Sequence, residues 1–313
     1  MTARKIIIDT DPGQDDAVAI LLALASPDEL DVVAITTVAG NVPLALTTRN
    51  ALMMCELVDR TDIPVYAGSI RPMVRPLVTA EYVHGESGID GAGLPEPTMA
   101  VREGHAVDAI IEMIMSADEG EITICPLGPL TNIGLALVRE PRIAERLAEI
   151  VLMGGGFFEG GNRTPAAEFN IYVDPHAADI VFRSGVPITM MPLDVTHKAL
   201  TSPARLDRFA AIDTPAGRAV HGMLDFFERF DMERYGAEGG PLHDPCVIAY
   251  LLDPGLFGGK HVPVRIETAS ELTMGMTVVD WWGATNDVAN ATVMREIDTE
   301  GFFGLLAERI ARL

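Results

Sequence analysis

The sequence predicts an α/β fold: a largely parallel central sheet covered by helices on both faces, in a Rossmann-like single domain over residues 1–313. Apolar strand-like segments alternate with helical patterns from one end of the chain to the other. The first segment, residues 5–24, begins with an unbroken isoleucine run, which is typical of a strand buried on both faces. It ends in an apolar helical segment. No proline-, glycine- or serine-rich linker divides the chain, which favours one domain over two.

The predicted elements follow in order along the chain. Strands are expected at residues 6–8, 31–38, 63–66, 121–125, 150–153, 187–192, 262–267, 276–281 and 291–297. Helices are expected at residues 17–24, 44–58, 105–116, 175–182, 203–211, 216–235, 245–252 and 302–313. The aromatic stripe Phe226, Phe227, Phe230 and Tyr235 is typical of the core-facing side of a helix, and the glycines of residues 236–240 are expected to end that helix.

Composition excludes several classes of partner. The formal net charge of −22 argues against nucleic acid and anionic membrane surfaces. Three scattered cysteines, Cys55, Cys125 and Cys246, predict reduced thiols in a cytoplasmic protein. No apolar run is long enough to span a bilayer, and the N-terminus lacks the design of a signal peptide. A cytoplasmic protein without nucleic-acid or membrane partners is therefore expected.

The acidic turn after the first strand is the main candidate site. Four carboxylates lie within eight residues there: Asp9, Asp11, Asp15 and Asp16. Pro12 and Gly13 predict a tight turn, proline because it fixes φ and glycine because it takes backbone angles that other residues avoid. Clustered like charges need a cation or a shared proton, and oxygen donors alone favour a hard ion such as Ca²⁺ or Mg²⁺. The alternative is structural: Asp15 and Asp16 would cap the helix, and Asp9 would be a buried acceptor.

Further polar residues follow other strands and loops. Asn41 follows the second strand, and His84 lies in the glycine- and proline-rich residues 71–97, a loop long enough to close over a site. In residues 126–132 a turn carbonyl is a candidate ligand for a hard cation. The glycines of residues 154–156 lack the spacing of a dinucleotide-binding loop.

Two later pairs complete the set of candidates. Glu168 and Asn170 are two residues apart, so in an extended segment their side chains would point the same way. Asp244 stands between His243 and a proline, where it is either a helix cap or a late partner of the acidic turn.

Five motifs together carry a family resemblance. DTDPGQDDA, VAGN, PLGPLTN, GNRTPAAEFNIYVDP and HDPC occur in this order, and with them the chain resembles the inosine–uridine-preferring nucleoside hydrolases over nearly its whole length. The resemblance implies an enzyme whose acidic turn binds Ca²⁺ and ribose hydroxyls while water displaces a nucleobase from C1′. It also implies a nucleoside as the small-molecule partner and a homo-oligomer, since relatives are commonly dimers or tetramers.

The resemblance also implies roles for single residues. The metal ligands would be Asp11, Asp16, the main-chain carbonyl of Leu127, and Asp244. Asp15, Asn41, Glu168 and Asn170 would hold the ribose hydroxyls, with Met153 and Asp244 bordering the sugar. Asp11 would take a proton from the attacking water. His243 would face the base and donate a proton or a strong hydrogen bond to it. His84 would lie near the leaving group. Gln14 is assigned no role.

Two rival functions are considered. Asp9-Thr10-Asp11 after an apolar strand is similar to the start of haloacid-dehalogenase-type phosphatases, which bind Mg²⁺, but Gly13 stands where that family has Thr or Val. A non-catalytic calcium-dependent sugar-binding protein would use the same ligands and would not need Asp11 as a base. The preferred nucleobase, purine or pyrimidine, is left open.

Overall fold

A computed structural model describes residues 3–235 and 239–313, without the side chains of residues 230–235. The strands are β1 Arg4–Thr10, β2 Leu30–Thr37, β3 Val65–Ala67, β4 Ile122–Pro126, β5 Glu149–Met153, β6 Ile188–Met191, β7 Leu200–Thr201, β8 Gly240–Pro241, β9 Phe257–Val262, β10 Val264–Ile266, β11 Thr277–Val279 and β12 Ala291–Ile297.

The helices connect these strands and cover the sheet. They are α1 Gln14–Leu24, α2 Leu44–Leu57, α3 Glu81–His84, α4 Ala106–Ser116, α5 Thr131–Arg139, α6 Ile143–Arg146, α7 Phe169–Val173, α8 Pro175–Phe182, α9 Leu193–Thr196, α10 Pro203–Ala210, α11 Pro215–Tyr235, α12 Pro245–Leu252 and α13 Thr299–Ile310, with a 3₁₀ turn at Pro254–Leu256. Among the described residues, none of these helices combines the length and the apolar character needed to cross a bilayer.

The central sheet has eight strands in the order β3-β2-β1-β4-β5-β6-β12-β9. All neighbouring strands in it are parallel except β9, which runs antiparallel to β12 at one edge. In this register Asp9 of β1 lies between Thr36 of β2 and Pro126 of β4. The loops that follow these three strands therefore start side by side at one edge of the sheet.

The first strand contributes to the core on both faces of the sheet. Ile6 and Ile8 pack with α1, α2, α12 and α13 in one apolar cluster, whereas Ile7 packs with α4, α5 and α8 in another. Successive side chains of a strand point to opposite faces, so the two clusters lie on opposite sides of the sheet. The predicted fold, a largely parallel sheet covered by helices on both faces, is confirmed.

Some local predictions were wrong. The strand predicted at residues 262–267 is two strands, β9 and β10, which belong to different sheets and are separated by Pro263. Proline lacks an N–H and cannot continue a ladder. The helices α3, α5, α6, α7 and α9 were not predicted. All of them except α5 have four or five residues, which are too few for a helical pattern. The predicted helix break at residues 236–240 falls mostly outside the described residues.

Candidate active site

A cavity of about 510 Å³ lies at the carboxyl ends of the central parallel strands. It adjoins β1 and β4, where the strand order reverses, and open α/β sheets bind ligands at this position. The cavity is lined by most of the residues singled out in the sequence: Asp15, Asn41, His84, Leu127, Met153, Glu168, Asn170, His243 and Asp244. Asp11 and Asp16 are fully buried and do not line its wall.

Asp16 holds the acidic turn together. Its Oδ1 accepts hydrogen bonds from the Thr10 hydroxyl (2.5 Å) and the backbone N–H of Asp11 (3.3 Å). Its Oδ2 accepts from the backbone N–H of Gly13 (3.0 Å) and the side-chain amide of Asn41 (3.1 Å). The bond to Gly13 caps the start of α1. The structural interpretation of Asp16 as a helix cap is thus correct, and the same side chain belongs to the acidic cluster.

Asp11 is enclosed by two glycines. A Cβ added to Gly40 or Gly128 would come within 2.8 Å of Asp11 Cγ, so any other residue there would displace the carboxylate. Asp11 Oδ2 accepts the backbone N–H of Asn41 at 2.7 Å. Its Oδ1 is buried and has no hydrogen-bond partner within the described part of the chain. A buried oxygen without a donor is costly, and a cation or a proton would satisfy it.

Asp244 reaches the acidic turn from the far end of the sequence. It precedes α12, but its side chain makes no capping hydrogen bond, so the capping interpretation was wrong. Instead it lies close to Asp15 and Asp16, and burial together with their charges raises its pKa. Carboxylate oxygens of Asp15, Asp16 and Asp244 lie within 4.8 Å of one another, close enough to bind one ion. Asp15 thus stands in this group, whereas Asp11 does not.

Burial and mutual repulsion oppose ionisation of the acidic cluster. The pKa of Asp11 is raised well above its usual range by burial and by Asp16 and Asp15, and the pKa of Asp244 is raised by burial and by the other three carboxylates. Burial also raises the pKa of Asp16. In the described part of the chain, no lysine or arginine is among the main influences on these three groups.

The donor set of the cluster fits a hard divalent cation. All candidate ligands are oxygens, either carboxylates or the carbonyl of Leu127, and the buried Oδ1 of Asp11 lacks a donor. A cation here would replace the protons that burial otherwise retains. The main-chain carbonyl of Leu127 accepts a hydrogen bond from the Asn170 amide at 2.6 Å, and a carbonyl oxygen keeps a second lone pair for a metal.

Glu168 and Asn170 both line the cavity, but not for the reason predicted from the sequence. Their segment is not extended, because Glu168 is the N-cap of α7. Its carboxylate accepts backbone N–H groups of Gly155 (2.9 Å), Asn170 (2.8 Å) and Ile171 (3.1 Å). Burial raises the pKa of Glu168 to about 7 despite these bonds. The Asn170 amide also approaches the Met153 carbonyl at 3.3 Å, which fixes its position next to the cavity wall.

His84 is held from behind by a residue that the sequence did not single out. Its Nδ1 lies 2.7 Å from Oε1 of Gln14. The ring stacks on Phe227 with centroids 5.6 Å apart, and Phe227 also lines the cavity, so one member of the predicted aromatic stripe contacts the site as well as the core. Phe230 and Tyr235 of that stripe lie outside the residues whose side chains are described. Burial lowers the pKa of His84 to about 3, so its imidazole is neutral.

His243 directly precedes Asp244 in the sequence and lines the same cavity. Its Nδ1 is 2.7 Å from the Thr196 hydroxyl, and the ring of His197 is 5.8 Å away. Burial, followed by the nearby rings of His197 and His84, holds the pKa of His243 well below its usual range. This histidine is therefore a neutral hydrogen-bonding group at neutral pH.

The comparisons with known proteins agree with this geometry. The family model described as inosine-uridine preferring nucleoside hydrolase matches residues 6–304. The chain belongs to the inosine-uridine preferring nucleoside hydrolase family. It is therefore an enzyme, a hydrolase that cleaves the N-glycosidic bond of ribonucleosides, and the resemblance noted from its motifs is confirmed.

Known relatives match this nucleoside hydrolase over nearly its full length. An uncharacterised protein of Schizosaccharomyces pombe is 54% identical, over 99% of both chains. The pyrimidine-specific ribonucleoside hydrolase RihA of Escherichia coli is 50% identical, over 98% of both chains. Among solved structures, the purine-preferring ribonucleoside hydrolase from Gardnerella vaginalis matches with a TM-score of 0.91 at 32% identity, over 98% of both chains.

Three residues that support this nucleoside hydrolase site were not predicted. Gln14 and Thr196 position the two histidines, and Asn132 donates to Oδ1 of Asp9 at 2.8 Å beneath the acidic turn. Their partners lie between 47 and 123 residues away in the chain. No local pattern signals such pairings. Gln14 and Asn132 belonged to motifs quoted from the sequence, and neither had an assigned role there.

Proposed function

We propose that this nucleoside hydrolase is a calcium-dependent enzyme that cleaves pyrimidine ribonucleosides into free base and ribose. The observation that carries the proposal is the cavity itself. It joins a cluster of buried carboxylates to two neutral histidines, and the same wall presents polar groups suited to a sugar. The pyrimidine preference rests on the named relatives, because RihA is 50% identical and the purine-preferring enzyme only 32% identical.

Calcium is favoured over magnesium by the type and number of protein oxygens. Asp11, Asp16, Asp244 and the Leu127 carbonyl are the proposed ligands, and carboxylate oxygens of Asp15, Asp16 and Asp244 lie within 4.8 Å of one another. Sites built almost wholly from protein oxygens suit Ca²⁺, whereas Mg²⁺ usually keeps several waters. When bound, the cation supplies positive charge that offsets the carboxylates and makes water more acidic.

The sugar is proposed to bind on the floor of the cavity. Asp15, Asn41, Glu168 and Asn170 offer carboxylate and amide groups to ribose hydroxyls, and Met153 borders the ring. Glu168 already accepts three backbone N–H groups, so its position is set before the substrate arrives. Preorganised groups of this kind orient the substrate without a further loss of entropy on binding.

Asp11 is the proposed base. Its Oδ1 accepts no hydrogen bond from the described residues, and burial and the neighbouring carboxylates raise its pKa, which favours uptake of a proton. Taking a proton from water generates the nucleophile for attack at C1′. The surrounding carboxylates favour the positive charge that develops on the sugar as the glycosidic bond breaks.

His243 is proposed to assist the leaving base. We assign the Thr196 hydroxyl as the donor to Nδ1, 2.7 Å away, which leaves the proton of the neutral ring on Nε2. That N–H can donate a strong hydrogen bond to the base as negative charge develops on it, and the proton can follow. A pyrimidine leaving group needs this help because it departs as an anion.

A nucleoside panel assayed by reducing-sugar release, with and without a chelator, tests the proposal. We expect uridine and cytidine to be hydrolysed faster than inosine, and the chelator to abolish turnover until Ca²⁺ is restored. Binding of ribose without turnover of any nucleoside would instead indicate a sugar-binding protein. Full activity in the chelator would overturn the metal assignment. A homo-oligomeric state and a cytoplasmic location stay predictions from the sequence.

A further inference from the structure

Gln14 has a side-chain orientation that its neighbours determine. Its Nε2 lies 2.9 Å from the main-chain carbonyl oxygen of His84 and 3.2 Å from that of Asp90. Carbonyl oxygens only accept hydrogen bonds, so the nitrogen of the amide must face them. The reversed orientation would place an oxygen against two oxygens. Oε1 of Gln14 is therefore the atom that faces the ring of His84.

The orientation of Gln14 determines which nitrogen of His84 carries the proton. Oε1 of Gln14 lies 2.7 Å from Nδ1 of His84 and can only accept, so Nδ1 must donate. A neutral imidazole carries one proton, and burial keeps this ring neutral. Its Nε2 is then a bare lone pair. Within the described residues no hydrogen bond engages that nitrogen, and His84 lines the cavity.

Steric contacts hold the ring in this arrangement. Phe227 stacks on one side of His84, with an angle of 24° between the planes. Gly13 also lies against the ring, since a Cβ added to it would come within 2.6 Å of Cε1. Gly13 has φ −89°, which any residue can adopt, so the predicted need for unusual backbone angles was wrong. Glycine is required there because His84 approaches the backbone closely.

We propose that Gln14 is a positioning residue that fixes the Nδ1–H tautomer of His84, so that Nε2 accepts a hydrogen bond from an N–H or O–H donor of the bound nucleoside. This inference rests on the proposed function. His243 donates to the substrate and His84 accepts from it, so the two histidines have opposite hydrogen-bonding roles. Two donors of uridine qualify: N3–H of the base and the 5′-hydroxyl of the sugar.

Nuclear magnetic resonance of ¹⁵N-histidine-labelled protein tests the tautomer without any turnover. The ¹⁵N shifts of Nδ1 and Nε2 differ according to which nitrogen carries the proton, and loss of one signal pair in His84→Asn identifies His84 among the seven histidines. We expect Nδ1–H alone in the wild-type enzyme and a mixture of tautomers in Gln14→Met, which has similar length but only a weakly accepting sulfur. Ser87→Ala is the control, since it removes the hydrogen bond from the Ser87 hydroxyl to the Asp90 carboxylate in the same loop and leaves Gln14 intact.

Substrate analogues identify the donor that His84 Nε2 accepts. Gln14→Met should lower kcat/KM for uridine about tenfold, the scale of one hydrogen bond, with Ser87→Ala close to wild type. We compare 3-methyluridine, which lacks N3–H, with 5′-deoxyuridine, which lacks the 5′-hydroxyl. For the analogue that lacks the accepted donor, Gln14→Met should cause no further loss. For the other, the tenfold loss should persist.

The possible contrary results are distinct. An Nε2–H tautomer in the wild-type enzyme would overturn the inference even if Gln14→Met could not be purified. A tenfold further loss with both analogues would also overturn it, because neither donor would then depend on His84. If the wild-type enzyme hydrolyses no ribonucleoside, the proposed function fails, whereas the tautomer experiment still reports on Gln14 and His84.

Discussion

The buried carboxylate of Glu168 gives the sharpest prediction of stability. It caps α7 and accepts three backbone N–H groups, yet burial raises its pKa from 4.5 to about 7. The native state therefore holds a proton that the unfolded chain releases between these two pH values. Stability is fully present below pH 4.5 and is lost as the pH rises through 7. At about 1.4 kcal/mol for each pKa unit, the loss is about 3 kcal/mol.

The variant Glu168→Gln removes this titration. Glutamine keeps one acceptor oxygen, so one or more backbone N–H groups lose their partner, at about 1 kcal/mol. We expect Glu168→Gln to be about 1 kcal/mol less stable than wild type at pH 4.5 and about 2 kcal/mol more stable at pH 8, in free energies of unfolding. Urea denaturation of the chelated protein at both pH values measures the difference, and chelation removes the contribution of bound metal.

For a control variant, Glu267→Gln, the change in stability should depend on pH in the opposite direction. Glu267 accepts backbone N–H groups of Ala269 and Ser270 at the surface, and these bonds lower its pKa. Glu267→Gln should therefore be more destabilising at pH 8 than at pH 4.5. If Glu168→Gln lowers stability by the same amount at both pH values, burial does not dominate the ionisation of Glu168, and the reasoning is refuted.

Three further predictions concern catalysis. Asp11→Asn should nearly abolish uridine turnover, and an active variant would exclude Asp11 as the base. Calcium content measured in the same sample distinguishes loss of the base from loss of the ion. The enzyme should hydrolyse 2′-deoxyuridine very poorly, because a missing hydroxyl leaves buried polar groups such as Asp15 unsatisfied; turnover close to that of uridine would contradict the sugar assignment. His243→Ala should lower kcat on inosine about a hundredfold or more and spare p-nitrophenyl riboside, whose phenolate leaves unaided; equal losses on both would limit His243 to shaping the pocket.

Contiguous sequence was sufficient to predict the acidic turn and its place in the fold. β1, the turn and α1 are adjacent in the chain, and their apolar pattern changes period at the turn. A parallel strand places its carboxyl end at the ligand-binding edge of a sheet, so the position of Asp15 and Asp16 could be predicted before the other strands were placed.

The roles of single side chains depended on distant contacts and could not be predicted in this way. Glu168 caps a helix too short to recognise, while Asp244, in a typical capping position, makes no capping bond. Gln14 contacts His84 across 70 residues of chain, and Thr196 contacts His243 across 47. Three-dimensional packing decides which carboxylate accepts a hydrogen bond from a backbone N–H and which faces a cavity. Local propensity does not determine this packing.

The central claim is that the acidic cluster holds a cation required to hydrolyse ribonucleosides in the adjoining cavity. The most direct test is uridine hydrolysis by metal-free enzyme as Ca²⁺ is added back, with uracil, ribose and bound calcium measured together. We predict no turnover without metal and activity that rises in proportion to bound calcium, up to one ion per chain, with uracil and ribose formed in equal amounts. Undiminished hydrolysis by the metal-free enzyme, or calcium binding without any release of uracil, would contradict the claim.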